Sequence, residues 1–137
     1  TAGAIHGTGT AKITVDATTV YGTYVSNYAM AVCASSRSEI IIKGGEFANQ
    51  APAGSALSLI YAEDNAKITI EGGTFKCVSP AWTLNCNDND NNATITVKGG
   101  SFYKFDPSNV TVGEGEIFIA DGYKVVQNGD WYNVVPE

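Results

Sequence analysis

The sequence predicts an all-β fold: a right-handed, single-stranded parallel β-helix (a solenoid) of about four coils, closed by a C-terminal β-hairpin. Three observations carry that prediction. The phrase IIIKGGEF at 40–47 returns as ITIEGGTF at 68–75 and as ITVKGGSF at 95–102. Aligned on the first isoleucine of the motif, Ile40, Ile68 and Ile95 lie 28 and 27 residues apart, and a further step of 27 back reaches Ile13. Within each copy apolar and polar residues alternate, the pattern of a strand with one buried face. A repeat of roughly 20 to 50 residues marks a solenoid, propeller or array, and a propeller blade needs about 40 or more.

The elements follow in order. The stretch TAGAIHGTGT reads as the tail of a coil, because Ile5 precedes Ala11 by six residues, as Val32 precedes Ser38. The chain is therefore expected to enter mid-coil. Four coils begin near residues 11, 38, 66 and 93. Their inward residues are Ala11, Ile13 and Val15, then Ser38, Ile40 and Ile42, then Ala66, Ile68 and Ile70, and last Ala93, Ile95 and Val97. A second strand falls at 29–34, 56–62 and 81–87, with Met30 and Val32, Leu57 and Leu59, and Trp82 and Leu84 as its apolar positions.

The paired glycines carry the chain around a corner where a Cβ would clash, with φ > 0 expected. The residue that follows turns back inward: Phe47, Phe75 and Phe102, with Val20 in the first copy. Two outward columns alternate in sign, Asp16, Lys43, Glu71 and Lys98 in one and Lys12, Glu39 and Lys67 in the other. Opposite charges on neighbouring strands favour this in-register stacking, and like charges would oppose it. Near the end Asn128-Gly129 marks a hairpin turn, with Val125 and Val126 pairing near Tyr132 and Val134. Residues 1–120 are thus read as β-helix repeats and 121–137 as a capping hairpin.

At this point the chain resembles the parallel β-helix domains of the pectate-lyase-like group. Its tail, FDPSNV followed by IADGYKVVQNGDWYNVV, is similar to the ends of β-helix segments in gut-bacterial surface proteins and in phage virion proteins. Gly99, Gly100, Phe102, Asp106, Pro107, Ser108, Asp121, Gly122, Tyr123 and Val125 carry the likeness, and the insertion TVGEGEIF departs from it. The resemblance implies a virion fibre, capsid-decoration or bacterial surface role.

Composition bounds the rest. The 137 residues carry a net charge of -6 with one arginine, Arg37, which argues against nucleic acid as a partner. No apolar run reaches the roughly 20 residues of a membrane span, so no membrane insertion is expected. Cys33, Cys77 and Cys86 form no C-x-x-C pair and read as buried thiols. No cofactor is implied.

Candidate sites are few. Asp88, Asp90 and Asn92 have the spacing of a calcium loop, but Ala93 replaces its glycine and Gly99 its terminal glutamate. They read as a solvated turn or, at most, a weak metal site. Arg37 beside Glu39 reads as a surface pair. His6, the one histidine, has no acid at a spacing that would make a triad. Tyr21, Tyr24, Tyr28 and Tyr103 fall near corners, outside the inward ladder, and are the candidate ligand-binding residues.

The expected function is a non-catalytic structural or attachment module: the distal part of a phage fibre or decoration protein, or of a bacterial adhesin. It would be extracellular and would engage surface glycans. Its partners would be an N-terminal continuation of the same protein or a larger assembly. A homotrimer would make its lateral contact at Ile41, which lies among Thr14, Thr69 and Thr96. The alternative is a carbohydrate-active β-helix enzyme, of lyase or hydrolase type, or a fragment of one.

Overall fold

A computed structural model describes residues 3–16, 18–87, 92–113 and 115–137. The chain is a parallel β-solenoid of about four turns, with three sheets running its length. Sheet A stacks β1 (Gly3–Gly7), β4 (Met30–Ala34), β7 (Ile60–Ala62) and β10 (Leu84–Cys86). Sheet B stacks β2 (Lys12–Val15), β5 (Glu39–Ile42), β8 (Lys67–Ile70), β11 (Thr94–Val97) and β13 (Glu116–Ile119). Sheet C stacks β3 (Thr19–Gly22), β6 (Glu46–Asn49), β9 (Thr74–Lys76) and β12 (Ser101–Tyr103). It continues antiparallel into β15 (Trp131–Pro136) and β14 (Tyr123–Asn128). No helix among the described residues is long and apolar enough to cross a membrane.

Each strand pairs with its own copy one coil away, so inward residues form columns. Ile13, Ile40, Ile68, Ile95 and Ile117 are successive partners in sheet B, as expected. The middle three are fully buried, while Ile13 and Ile117 at the ends are half-buried. Val20, Phe47, Phe75 and Phe102 form the column in sheet C. Phe47 and Phe75 stack at 4.9 Å between centroids, and Phe75 and Phe102 at 4.8 Å. That spacing is the strand separation itself. Each fully buried isoleucine or phenylalanine contributes about 1.5–3 kcal/mol of transfer free energy.

The two glycines of each corner have different reasons to be there. The second has positive φ: 120° at Gly45, 108° at Gly73 and 97° at Gly100. The first lies against the coil before it, where a Cβ on Gly72 would collide with the Lys43 carbonyl and one on Gly99 with the Glu71 carbonyl. Thr18 replaces the second glycine in the first copy and is not among the residues with positive φ.

Sheet A departs from the sequence reading. The inward column is Ile5, Val32, Ile60 and Leu84, so Ile60 and not Leu59 pairs with Val32. The cause is a bulge: the Leu59 carbonyl accepts from both Ala31 N and Val32 N, at 2.8 and 3.3 Å. Two consecutive residues, Leu59 and Ile60, are thereby buried together. Trp82 is not a strand residue either. It ends a single 3₁₀ turn, Pro80–Trp82, and is half-buried.

The charge columns hold their register, with Lys12, Glu39 and Lys67 as successive partners. Lys12 Nζ lies 3.8 Å from Glu39 Oε2, with both side chains exposed. Glu39 therefore pairs across coils and not with Arg37. An exposed pair of this kind sets register and adds little stability.

The C-terminal end is closed twice. The insertion TVGEGEIF supplies β13, a fifth rung of sheet B. β15 then lies antiparallel on β12, with Tyr132 opposite Phe102 and Val134 buried. The hairpin turns at Asn128-Gly129 as expected, with Val125 opposite Val134 and Val126 opposite Asn133. At the other end β1, β2 and β3 are the outermost strands of their sheets among the described residues.

The corner geometry makes one measurement decisive. Gly99→Ala should lower the free energy of unfolding by about 2–4 kcal/mol, because a carbonyl of the preceding coil occupies the space. Gly122→Ala, where φ is +85° but nothing lies within 4 Å, should cost only about 1 kcal/mol. Urea midpoints of the two variants check this, and equal losses would contradict it.

Candidate functional site

The outer face of sheet A is where polar, aromatic and thiol groups meet. Its outward column runs His6, Cys33, Tyr61 and Asn85, one residue from each coil. The turn that leaves sheet A has a left-handed residue in each described copy: Gly9 at φ 62°, Ser36 at 59° and Asp64 at 60°. These turns stack as well. Ser36 N donates to Asp64 Oδ2 at 2.9 Å, and the hydroxyls of Thr8 and Ser36 lie 3.3 Å apart.

One network crosses three coils here. Ser35 Oγ donates to Glu63 Oε2 at 2.6 Å, and His6 Nε2 lies 3.2 Å from the same Ser35 oxygen. Because the serine proton goes to Glu63, the imidazole must present an Nε2–H to Ser35. Cys33 Sγ sits 3.7 Å from Ser35 Oγ. So an acid does stand near His6, contrary to what spacing suggested, but the order is wrong for a nucleophile. In a hydrolytic triad the histidine separates serine from acid and takes the serine proton. Here the serine is in the middle. Ser35 is also buried.

Burial pushes the Cys33 thiol up from 9.0 to about 11, opposed by its hydrogen bond to Ser35 and reinforced by the Glu63 charge. Burial raises Tyr61 too, against a hydrogen bond from Asn87 Nδ2 at 2.9 Å. Cys77 rises for the same reason, with Asn49 Nδ2 3.6 Å from its sulfur. All three cysteines are buried, as expected. High thiol pKa and burial make poor nucleophiles.

The candidate tyrosines separate into three places. Tyr21 and Tyr28 line one cavity of about 520 Å³ with Val25 and Met30. Tyr24 lines a neighbouring groove with Gln50 and Pro52, and its hydroxyl donates to Asn27 Oδ1 at 3.1 Å. Tyr103 lies on the outer face of sheet C, edge-on to Trp131 at 5.3 Å. Lys76 and Lys104 hold their ammonium groups 4.5 and 5.3 Å from the Tyr103 ring centre. These cations occupy the Tyr103 ring, so its surroundings fit a structural part better than a stacking platform.

A small hairpin explains why Tyr24 and Tyr28 stand out from the body. Val25 and Tyr28 exchange both backbone hydrogen bonds at 2.9 Å. The two residues between them, Ser26 and Asn27, have φ 50° and 68°. That is a two-residue turn with both central residues left-handed, without the glycine such a turn prefers. At its base, a Cβ on Gly22 would collide with the Ala29 carbonyl. Tyr28 stays 43 % exposed and Val25 62 %.

Behind this hairpin is a second groove of about 180 Å³, which sequence reasoning missed. Tyr28, Tyr61 and Trp82 line it from three successive coils, with Asn27, Ser58 and Asn85. Asn85 Nδ2 donates to Ser58 Oγ at 2.9 Å.

Of the metal candidates, Asp88 and Asp90 lie outside the described residues, and Asn92 is exposed. Among the described residues no group of three or more histidine, cysteine, aspartate or glutamate side chains is arranged to hold a metal ion. Comparison with protein-family models, curated proteins and solved structures finds no significant match.

Raised thiol and phenol groups set the pH dependence. Cys33 holds its proton more tightly folded than unfolded, so its stabilisation is full below pH 9 and is lost as pH rises through about 11. Unfolding free energy should therefore fall between pH 9 and 11, and Cys33→Ala should flatten the fall. Urea melts across that range test it. A slope unchanged in the variant would contradict the assignment.

Proposed function

We propose that the chain is a non-catalytic attachment module that joins a larger body through the β1, β2 and β3 end and presents its sheet faces and capped end outward. The observation that carries this reading is the difference between the two ends. Tyr132 and Val134 cover the Phe102 end. At the opposite end β1, β2 and β3 are outermost among the described residues, and β1 and β3 border a cavity lined by Tyr21, Val25, Tyr28 and Met30. Open strand edges and grouped apolar residues favour association with another β-structure. A further coil of the same polypeptide or a strand of a partner serves equally.

The setting proposed is extracellular, at a virion or bacterial surface, as a fibre, decoration or adhesin segment. The likeness of the repeated I-x-I-x-G-G-x-F phrase to pectate-lyase-like β-helices, and of the DPS and DGYKV segments to the ends of β-helix segments in gut-bacterial surface proteins and phage virion proteins, supports that setting. Lateral homotrimer contact would use the outward column Thr14, Ile41, Thr69, Thr96 and Phe118, of which Phe118 is 37 % exposed.

The competing reading, a carbohydrate-active enzyme, has one observation in its favour: His6, Ser35 and Glu63 are in contact. Turnover of any polysaccharide that is lost in Glu63→Gln would establish it in place of the attachment role.

For attachment, hydrogen exchange and solution mass of the isolated chain are the test. The expected result is self-association, or amides of Lys12–Val15 that exchange faster than those of Lys67–Ile70. A monodisperse monomer with equal protection in β2 and β8 would show that this end needs no partner.

A further inference from the structure

We infer that the groove between the Tyr24–Ala29 hairpin and the outer face of sheet A is a binding site for a neutral saccharide bearing N-acetyl groups. Three aromatic side chains reach it from successive coils: Tyr28 from the hairpin, Tyr61 from sheet A and Trp82 from the 3₁₀ turn. Aromatic faces interleaved with a few oriented polar groups suit sugar rings, which are apolar on one face and hydroxylated around the rim. At about 180 Å³ the groove has room for some six water molecules, the scale of one sugar unit.

Hydrogen-bond accounting gives the site its sign. Asn27 Oδ1 already accepts from the Tyr24 hydroxyl, Ser58 Oγ from Asn85 Nδ2, and the Tyr61 hydroxyl oxygen from Asn87 Nδ2. The Asn27 amide N–H₂ and the Ser58 hydroxyl proton are left as donors, the Tyr61 hydroxyl is taken up between Asn87 and Glu63, and the buried Asn85 Oδ1 is left as an acceptor. Ser58 is 8 % exposed, so its proton does not face bulk water. The lining offers both donors and an acceptor and holds no lysine or arginine. An anionic sugar would meet no cation, and Glu63 adjoins Tyr61 with a negative charge. A neutral ligand that both accepts and donates hydrogen bonds fits best. An acetamido group does both, its carbonyl facing the Asn27 and Ser58 donors and its N–H the Asn85 Oδ1, and its methyl group would find Met30, Ala29 and Leu57 in the same groove.

The left-handed pair Ser26 and Asn27 adds an independent reason to place function here. Non-glycine residues held at positive φ persist where surrounding structure over-determines them, and they cluster at ligand clamps. This pair fixes both Asn27 and Tyr28 against the groove.

The inference deepens the attachment reading and rests on it for its biological sense. The test separates the two, because saccharide binding reads the groove while hydrogen exchange reads the β2 end. Trp82 and Trp131 are the two tryptophans, so Trp131→Phe leaves Trp82 as the reporter. Fluorescence of that variant is titrated with chitotetraose and N-acetylgalactosamine, and with cellotetraose and galactose as counterparts lacking the acetamido group. Tetragalacturonate is the acidic control. We expect saturable quenching or enhancement by at least one N-acetylated sugar, at least tenfold tighter than its counterpart and than the acidic control. Asn27→Ala and Tyr28→Ala, both at exposed positions, should each weaken binding at least fivefold with the melting temperature kept as a folding check. Should either variant fail to fold, Tyr28→Phe, which keeps the ring, should bind within twofold of the parent. No response to either N-acetylated sugar, equal affinity for the counterparts, or binding unchanged in Asn27→Ala and Tyr28→Ala would overturn the assignment.

Discussion

The amide-to-carbonyl ladder from one coil to the next governs this molecule. Glu39 N bonds to Ala11 O, Lys67 N to Ser38 O and Thr94 N to Ala66 O, each between equivalent places in successive coils. A parallel ladder held in this way puts every side chain beside its counterpart one period away. Each column must then tolerate its own repetition. Isoleucine on isoleucine and phenylalanine on phenylalanine do so by packing. Charges do so by changing sign. Where the backbone of one coil crosses the next at a corner, only glycine leaves enough room.

Columns also explain the outer face of sheet A. Ser35 lies 29 residues after His6, and Glu63 lies 28 after Ser35. These separations are about one period, so the ladder brings the three groups into contact whatever their role. The same rule sets Cys33 between His6 and Tyr61. Such proximity is a product of stacking, which is why the direction of the hydrogen bonds decides the chemistry. A serine whose proton already goes to a carboxylate, with an imidazole N–H on the same oxygen, is an element of a structural ladder.

Much of the fold was legible because its signals are periodic. Alternation around Ile13, Ile40, Ile68 and Ile95 gave sheet B, and the inward phenylalanines marked the next column. Sheet C as a third sheet was less visible, since β9 and β12 have three residues each with one inward residue apiece. The bulge at Leu59 hid the register of sheet A, because two adjacent apolar residues obey no period of two. β13 was read as an insertion, although Ile117 and Ile119 continue the Ile95 and Val97 columns. The groove behind the hairpin was not legible at all. Tyr28 and Trp82 come from the connections between sheets C and A, at 23–29 and 77–83, where spacing slips from coil to coil. No sequence period relates them. The tyrosines chosen for exposure were partly informative: Tyr28 borders both cavities, while Tyr103 is taken up by Lys76, Lys104 and Trp131.

In-register stacking is the claim on which the columns, the corner glycines and the groove all depend, and ring contacts in solution report it most directly. In a nuclear Overhauser spectrum with the phenylalanine rings selectively protonated, cross-peaks should join Phe47 to Phe75 and Phe75 to Phe102, whose centroids lie 4.9 and 4.8 Å apart. No direct cross-peak should join Phe47 to Phe102, which are two coils apart. Absence of the first two contacts, or a direct contact between Phe47 and Phe102, would contradict the account.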